Sequence, residues 1–337
     1  MLRKLFINTR DEIIGTGLLY LLLRHGKHHP FVGQTHLQFP DLFSGDLEKF
    51  CKPIAQPVDL QQRRKLYYEE EAYRVEDVYF QSSVQSAIPS NDTVVLRHWI
   101  PSVENKTNLT VVGVDGLGQL GSGWFWRLAK CLAPAGIEVV MMDAPYNYRR
   151  TPPGYKPGQL IVGGDIDHQL SVSRQSILDL WTTILSVQKT GRRVGLTGIS
   201  FGAWLSLMGG LVAEDLQFIY ALAPPVDLGT IAEEGGTVTR AIRRGFGYQK
   251  LDHSLMMQAA RAVTHRFWKP KLNPQNITLL AGEYDRFVPT PRIEELSKVW
   301  GTQYELFADG HVGLAADKKY IERVAQKIIA HNEHTKT

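Results

Sequence analysis

The chain has 337 residues, 43% hydrophobic and 21% charged, with a formal net charge of +4. That is the composition of a globular protein; it excludes a disordered or low-complexity chain, and its interspersed charges give no basis for a nucleic-acid partner. Two cysteines, Cys51 and Cys131, exclude a disulfide framework or a cysteine metal cluster and fit a reducing compartment, so a cytoplasmic location is expected.

The first apolar run, Ile13 to Leu23, carries Gly15 and Gly17 and is well short of the roughly 20 residues that a spanning helix needs. Arg3, Lys4 and Arg10 precede it as in a signal peptide. Asp11 and Glu12 interrupt that basic region, however, and no small-residue cleavage site follows, so secretion is not expected. Residues 1–72 read as an N-terminal helical extension, serving either as a lid or partner surface or as a packing layer over one face of the sheet.

From Tyr73 the pattern becomes regular. Strands are predicted over Arg74 to Phe80, Thr93 to Ile100, Leu109 to Val114, Glu138 to Met142, Arg193 to Thr197, Phe218 to Leu222, Ile277 to Ala281 and Tyr304 to Phe307. The first two alternate in polarity and read as an antiparallel edge. The last six are nearly continuous apolar runs, as expected for parallel strands covered on both faces. Helices fall between them over Trp124 to Ala133, Ser173 to Gln188, Phe201 to Val212, Pro291 to Trp300 and Lys318 to His331, with Thr290 placed to cap the fourth. The expected architecture is an eight-stranded, mostly parallel, doubly wound α/β sheet forming one domain over 73–337.

Two excursions leave the carboxyl ends of strands, where open α/β sheets build ligand sites. One runs from Tyr146 to His168. The other begins at Asp227 and folds as a small helical cap over about 228–271, with amphipathic material around Leu255 to Val263.

The strongest local signal is Gly198-Ile199-Ser200-Phe201-Gly202, set directly between a strand and a helix. A reversal this sharp crowds the backbone two positions either side of the serine, hence glycine at both, and lifts the hydroxyl clear of the chain. The helix N-terminus also turns free amides toward any oxyanion forming there. A serine hydroxyl needs a base, and the base needs a group to fix its tautomer. His311 lies in the short loop after the eighth strand and Asp285 at the exit of the seventh, so Ser200, Asp285 and His311 fall in chain order at the ends of three strands. Asp227, after the sixth strand, is the alternative acid. Asp309 is too near His311 in sequence to face its ring easily, and His168 and His253 lie in the excursions. The oxyanion donors expected are the amides of Phe201 and of Leu117 in the glycine-rich loop after the third strand, with Gly118 as alternative to the latter.

These residues resemble the α/β-hydrolase superfamily over Tyr73 to His331. More loosely, Gly116-Leu117-Gly118, Trp124-Phe125-Trp126-Arg127, Asp143 to Arg149 and Thr197-Gly198-Ile199-Ser200 are similar to one branch of hydrolase-domain proteins. Many superfamily members begin the oxyanion loop with His-Gly, where this chain has Asp115-Gly116. The resemblance implies no metal and no organic cofactor.

The implied activity is hydrolysis of a carboxylic ester through an acyl-enzyme on Ser200, with a small acyl compound as partner and no membrane span. Amide or thioester hydrolysis and acyl transfer use the same groups, and a non-catalytic binding module of the same fold is the reading from another class. The oligomeric state is left open. Arg149 and Arg150, and Arg240, Arg243 and Arg244 in the cap, would suit an acidic substrate or a solvated surface. Trp124, Trp126 and Trp204 would line an acyl pocket or pack in the core.

Overall fold

The computed structural model describes residues 2–23, 45–86, 88–104, 106–118, 120–161, 166–228, 258 and 260–334. The amino-terminal helix α1 (Leu2–Leu23) and the short α2 (Leu47–Phe50) precede β1 (Arg64–Glu70), β2 (Tyr73–Gln81), α3 (Pro89–Asp92) and β3 (Thr93–Pro101). Then come β4 (Leu109–Val114), α4 (Gly123–Leu132), β5 (Glu138–Met142), α5 (Ile166–Gln188), β6 (Arg193–Ile199), α6 (Phe201–Val212) and β7 (Leu216–Leu222). The chain closes with β8 (Ile277–Gly282), α7 (Thr290–Trp300), β9 (Gln303–Phe307), α8 (His311–Ala316) and α9 (Lys318–His334).

The strands form one sheet in the order β1-β2-β3-β5-β4-β6-β7-β8-β9. From β5 to β9 all pairings are parallel, whereas β1, β2 and β3 pair antiparallel and β3 joins β5 antiparallel. Helices α5, α6 and α7 pack on one face around Leu180, Trp204 and Ile293, and α4 and α9 cover the other around Phe125, Leu128 and Val324. Every residue of β4 and β8 is buried, the burial expected of central strands shielded on both sides.

Among the described residues the sheet has nine strands rather than eight. The extra one, β1, lies in the stretch read as helical and charged. Its residues are half-buried or exposed throughout, with Leu66 56% and Tyr67 55% accessible, so it shows no alternation of buried and exposed positions to betray a strand. It holds its place as an edge, through the ladder to β2 and through Tyr67, whose ring lies 3.6 Å from the Arg97 guanidinium carbon. Thr290 departs from expectation as well: its hydroxyl donates to the Gly282 carbonyl at the end of β8 and does not cap α7. Most of the expected cap, 229–257 and 259, lies outside the described residues, as do Arg240, Arg243, Arg244 and His253.

The first excursion is anchored from within. Arg150 is fully buried, with Nη1 2.9 Å from Asp179 of α5 and Nε donating to the Asn91 carbonyl at 3.0 Å. Arg149 is bound to Asp143 at 2.7 Å and also meets Asp77. These arginines are therefore structural ties and not a substrate-facing pair. Arg150→Ala strands the Asp179 carboxylate in the interior, and urea denaturation should register a loss of about 3–5 kcal/mol; a loss below 1 kcal/mol would mean that the tie carries no weight.

Candidate active site

The site is set by the sheet's switch point. Strand β4 lies between β5 and β6, and its last residue, Val114, pairs with Gly198. The loops leaving β4 and β6 therefore emerge side by side, and they carry the glycine-rich segment and Ser200.

Ser200 has φ 54° and ψ −121°, a conformation that costs a non-glycine residue on the order of 1–3 kcal/mol and persists only where the surroundings enforce it. The enforcement is visible. The Ser200 amide donates to the Leu222 carbonyl at the end of β7 at 2.9 Å, and the Ser200 carbonyl accepts from the Trp204 amide at 3.0 Å. A β-carbon at Gly198 would come within 2.5 Å of the Gly202 carbonyl, and one at Gly202 would run into the carbonyl of Val114. The two glycines let α6 lean directly on the ends of β4 and β6. Ser200 is half-buried, and no hydrogen bond of its hydroxyl occurs among the described residues.

His311 opens α8, and its Nδ1 is 2.8 Å from Asp285 Oδ2, with both side chains nearly inaccessible. The other carboxylate oxygen of Asp285 accepts from the amides of Phe287 and Val288 at 2.7 and 2.8 Å, so the turn after β8 fixes the orientation of the acid. Phe287 stacks on the imidazole at 4.6 Å between centroids and 14° between planes. Burial alone would pull the His311 pKa down, but the charge and hydrogen bond of Asp285, joined by the charge of Asp11, hold it above the ordinary imidazole value. With Nδ1 engaged, Nε2 is the ring nitrogen left to exchange a proton with a substrate or a hydroxyl.

The structure thus puts Asp285 on the histidine. Asp227 is buried 3.2 Å from Arg266, and Asp309 meets Arg10 and Tyr320. His168 is tied to the Leu160 carbonyl. Trp124 and Trp204 are core residues, and Trp126 packs among Tyr68, Tyr73 and Trp99.

In the loop after β4, the Gly116 amide donates to Asp115 Oδ1 at 2.9 Å and the Gly118 amide to Asn147 Oδ1 at 3.2 Å. Asn147 in turn donates to the Gly116 carbonyl at 3.0 Å, stapling the loop from the first excursion. Gly118, the alternative donor, is therefore already occupied, and Leu117 stands between two committed amides. Phe201 is the first residue of α6, where amides have no partner within the helix.

Three contributors escaped the sequence reading. Asn147 lies in the run Asp143 to Arg149 quoted for its resemblance, but its tie to the loop after β4 left no signal, because an asparagine in a loop is ordinary. Asp115 was noted only as a departure from histidine; its carboxyl is wholly buried, Oδ2 has no hydrogen-bond partner among the described residues, and burial pushes its pKa up to about 7. Asp11 of α1 reaches the backbone of His311, with Oδ2 accepting from the His311 amide at 2.6 Å. The signal for α1 was present in the spacing of Ile7, Asp11 and Gly15, four residues apart and so on one helix face. Among the described residues no cluster of three metal-ligating side chains exists, and no helix is long and apolar enough to cross a membrane.

No family model and no curated protein matches the chain. Solved structures do. An acetyl xylan esterase from Paenibacillus sp. R4 is similar with a TM-score of 0.59 at 14% identity, over 90% of this chain and 99% of that one. The acylaminoacyl peptidase of Pyrococcus horikoshii gives 0.55 at 13% identity, over 78% of this chain and 41% of the peptidase. An esterase of Pyrococcus furiosus gives 0.52 at 16% identity, over 83% and 99%. These likenesses, with the strand order, show that the chain has the α/β-hydrolase fold.

A buried acid that titrates near 7 leaves a mark on stability. With the folded value raised above the ordinary 3.8, Asp115 contributes stability that is complete below about pH 4 and is lost as pH climbs through 7. Asp115→Asn removes that dependence. Thermal denaturation at pH 5 and pH 8 should show the Tm difference moving in favour of the variant at pH 8, and an unchanged difference would contradict a buried titrating acid.

Proposed function

We propose that the protein is a serine hydrolase that cleaves carboxylic esters through an acyl-enzyme on Ser200. The observation that carries this reading is the Asp285–His311 contact at 2.8 Å, on loops at the same edge of the sheet as a serine held in a strained strand-to-helix turn. A structural turn has no need of positive φ at a serine, and a buried imidazole has no need of a carboxylate locked by two backbone amides.

Each residue then has one role. His311 Nε2 takes the proton from Ser200 Oγ as the oxygen attacks the ester carbonyl carbon. Asp285 holds the neutral ring with its proton on Nδ1 and stabilises the imidazolium that forms. The amides of Phe201 and Leu117 donate to the tetrahedral oxyanion, a geometry favoured by the commitment of the Gly116 and Gly118 amides elsewhere. The imidazolium returns the proton to the leaving alcohol. Water, deprotonated by the same nitrogen, then attacks the acyl-enzyme and releases the acid.

The acetyl xylan esterase shares the fold, which makes acetyl and other short-acid esters the substrate class to test first. Both cysteines are free thiols, which supports a reducing compartment such as the cytoplasm.

A fluorophosphonate probe should label Ser200 in the folded protein, and Ser200→Ala should abolish labelling; absence of labelling on well-folded protein would overturn the hydrolase reading in favour of a binding module. With an active ester substrate, His311→Ala should lower kcat about 10⁴- to 10⁶-fold and Asp285→Asn about 10⁴-fold, while Asp227→Asn retains the wild-type pH profile. Because only the neutral imidazole accepts the serine proton, activity should rise with pH through a midpoint above the ordinary histidine value. A midpoint below 6 would exclude His311 in its paired state as the base.

A further inference from the structure

Helix α1 turns the face bearing Ile7, Asp11 and Gly15 inward. Ile7 is buried, and Asp11 is fully buried despite its charge. Within α1 it meets Arg10 Nη2 at 3.5 Å; its closer partners lie some 300 positions away. Oδ2 accepts from the His311 amide at 2.6 Å and Oδ1 from the Val312 amide at 3.3 Å. These are the first amides of α8, and they need an acceptor once buried. The local cap position cannot supply one, because it is Gly310, where a β-carbon would lie 2.8 Å from Asp11 Oδ1.

The rest of α1 grips both loops of the acid–base pair. Arg10 donates to Asp309 Oδ1 at 2.7 Å, and Glu12 meets Arg286, next to Asp285, at 3.0 Å. Gly15 lies against Phe287, where a β-carbon would come within 2.7 Å of the ring, and Phe287 stacks on His311. Helix backbone, phenyl ring and imidazole thus form three successive layers.

We infer that Asp11 is a positioning residue for His311, capping the backbone that presents the base and bringing a second carboxylate into its surroundings. The inference rests on the hydrolase reading for its catalytic meaning. Burial and the charge of Asp285 raise the Asp11 pKa, against the His311 amide and Arg10, which lower it; once ionised, Asp11 favours the imidazolium, the form His311 takes while it holds the serine proton, and so acts in the same direction as Asp285. The charged groups around His311 are Asp285 from the turn after β8, Asp11 and Arg10 from α1, and Asp309 from its own loop. Arg10, Lys319 and the Tyr320 hydroxyl contact Asp309, and the Glu12–Arg286 pair closes the margin. Of these, Asp11 is the only carboxylate besides Asp285 whose charge raises the His311 pKa among the described residues.

The test uses the full chain and two readouts. Imidazole NMR should show His311 titrating at lower pH in Asp11→Asn than in wild type, since the amide oxygen still caps α8 while the charge is gone. The pH profile of Ser200 labelling by a fluorophosphonate should shift its acid limb to lower pH in the same variant. Asp11→Ala, which loses cap and charge together, should label about ten- to a hundredfold more slowly on the plateau. Asp11→Ser, which restores a cap acceptor without charge, should recover much of that rate but keep the shifted titration, and it replaces the asparagine variant should that one not fold. Unchanged ring titration together with unchanged labelling in these variants overturns the inference. Failure of wild-type Ser200 to label removes the hydrolase reading instead, and the NMR titration still decides whether Asp11 acts on the ring.

Discussion

The constraint on which the site depends is the contact of α6 with the ends of β4 and β6. A helix can begin one residue after a strand ends only if nothing projects between them, and Gly198 and Gly202 clear that space. It holds Ser200 at positive φ, and because β4 and β6 are neighbours the loop after β4 leaves the sheet beside the serine. Packing of Trp204 and Leu205 beneath the turn supplies the apolar burial that keeps the strained residue in place.

Much of this was legible in the sequence because it is local. The glycine spacing around Ser200, the apolar runs of the parallel strands and the ordered exits carrying Asp285 and His311 need only short windows. What was illegible is of three kinds. Strand β1 is an exposed edge whose place is fixed by cross-strand partners and not by any burial period. The partner of the alternative carboxylate, Asp227, is Arg266, a pairing between residues apart in the chain that no short window shows. Thr290 reads as a cap by type, yet its hydroxyl finds a strand carbonyl first, since a hydroxyl goes to whichever acceptor packing brings nearest.

The buried charges follow one rule. Arg97 and Arg149 share Asp77, Arg149 also holds Asp143, and Arg150 holds Asp179, so each cation taken from water has its anion in place. These ties rigidify the segment after β5 from which Asn147 reaches the loop beside the serine. A sequence scan sees paired arginines near a site and reads a charged rim. In the structure they are scaffolding.

The cap on His311 comes from a residue 300 positions earlier. A contact of such sequence separation forms only when the two ends of the chain are brought together. The serine turn is held by strands from the middle of the chain, as where Val114 pairs with Gly198, whereas the loop of His311 takes a partner from α1 at the other end. The arrangement of His311 and Asp285 is therefore tied to the amino-terminal helix as well as to the sheet, and its geometry belongs to the completed molecule rather than to its core.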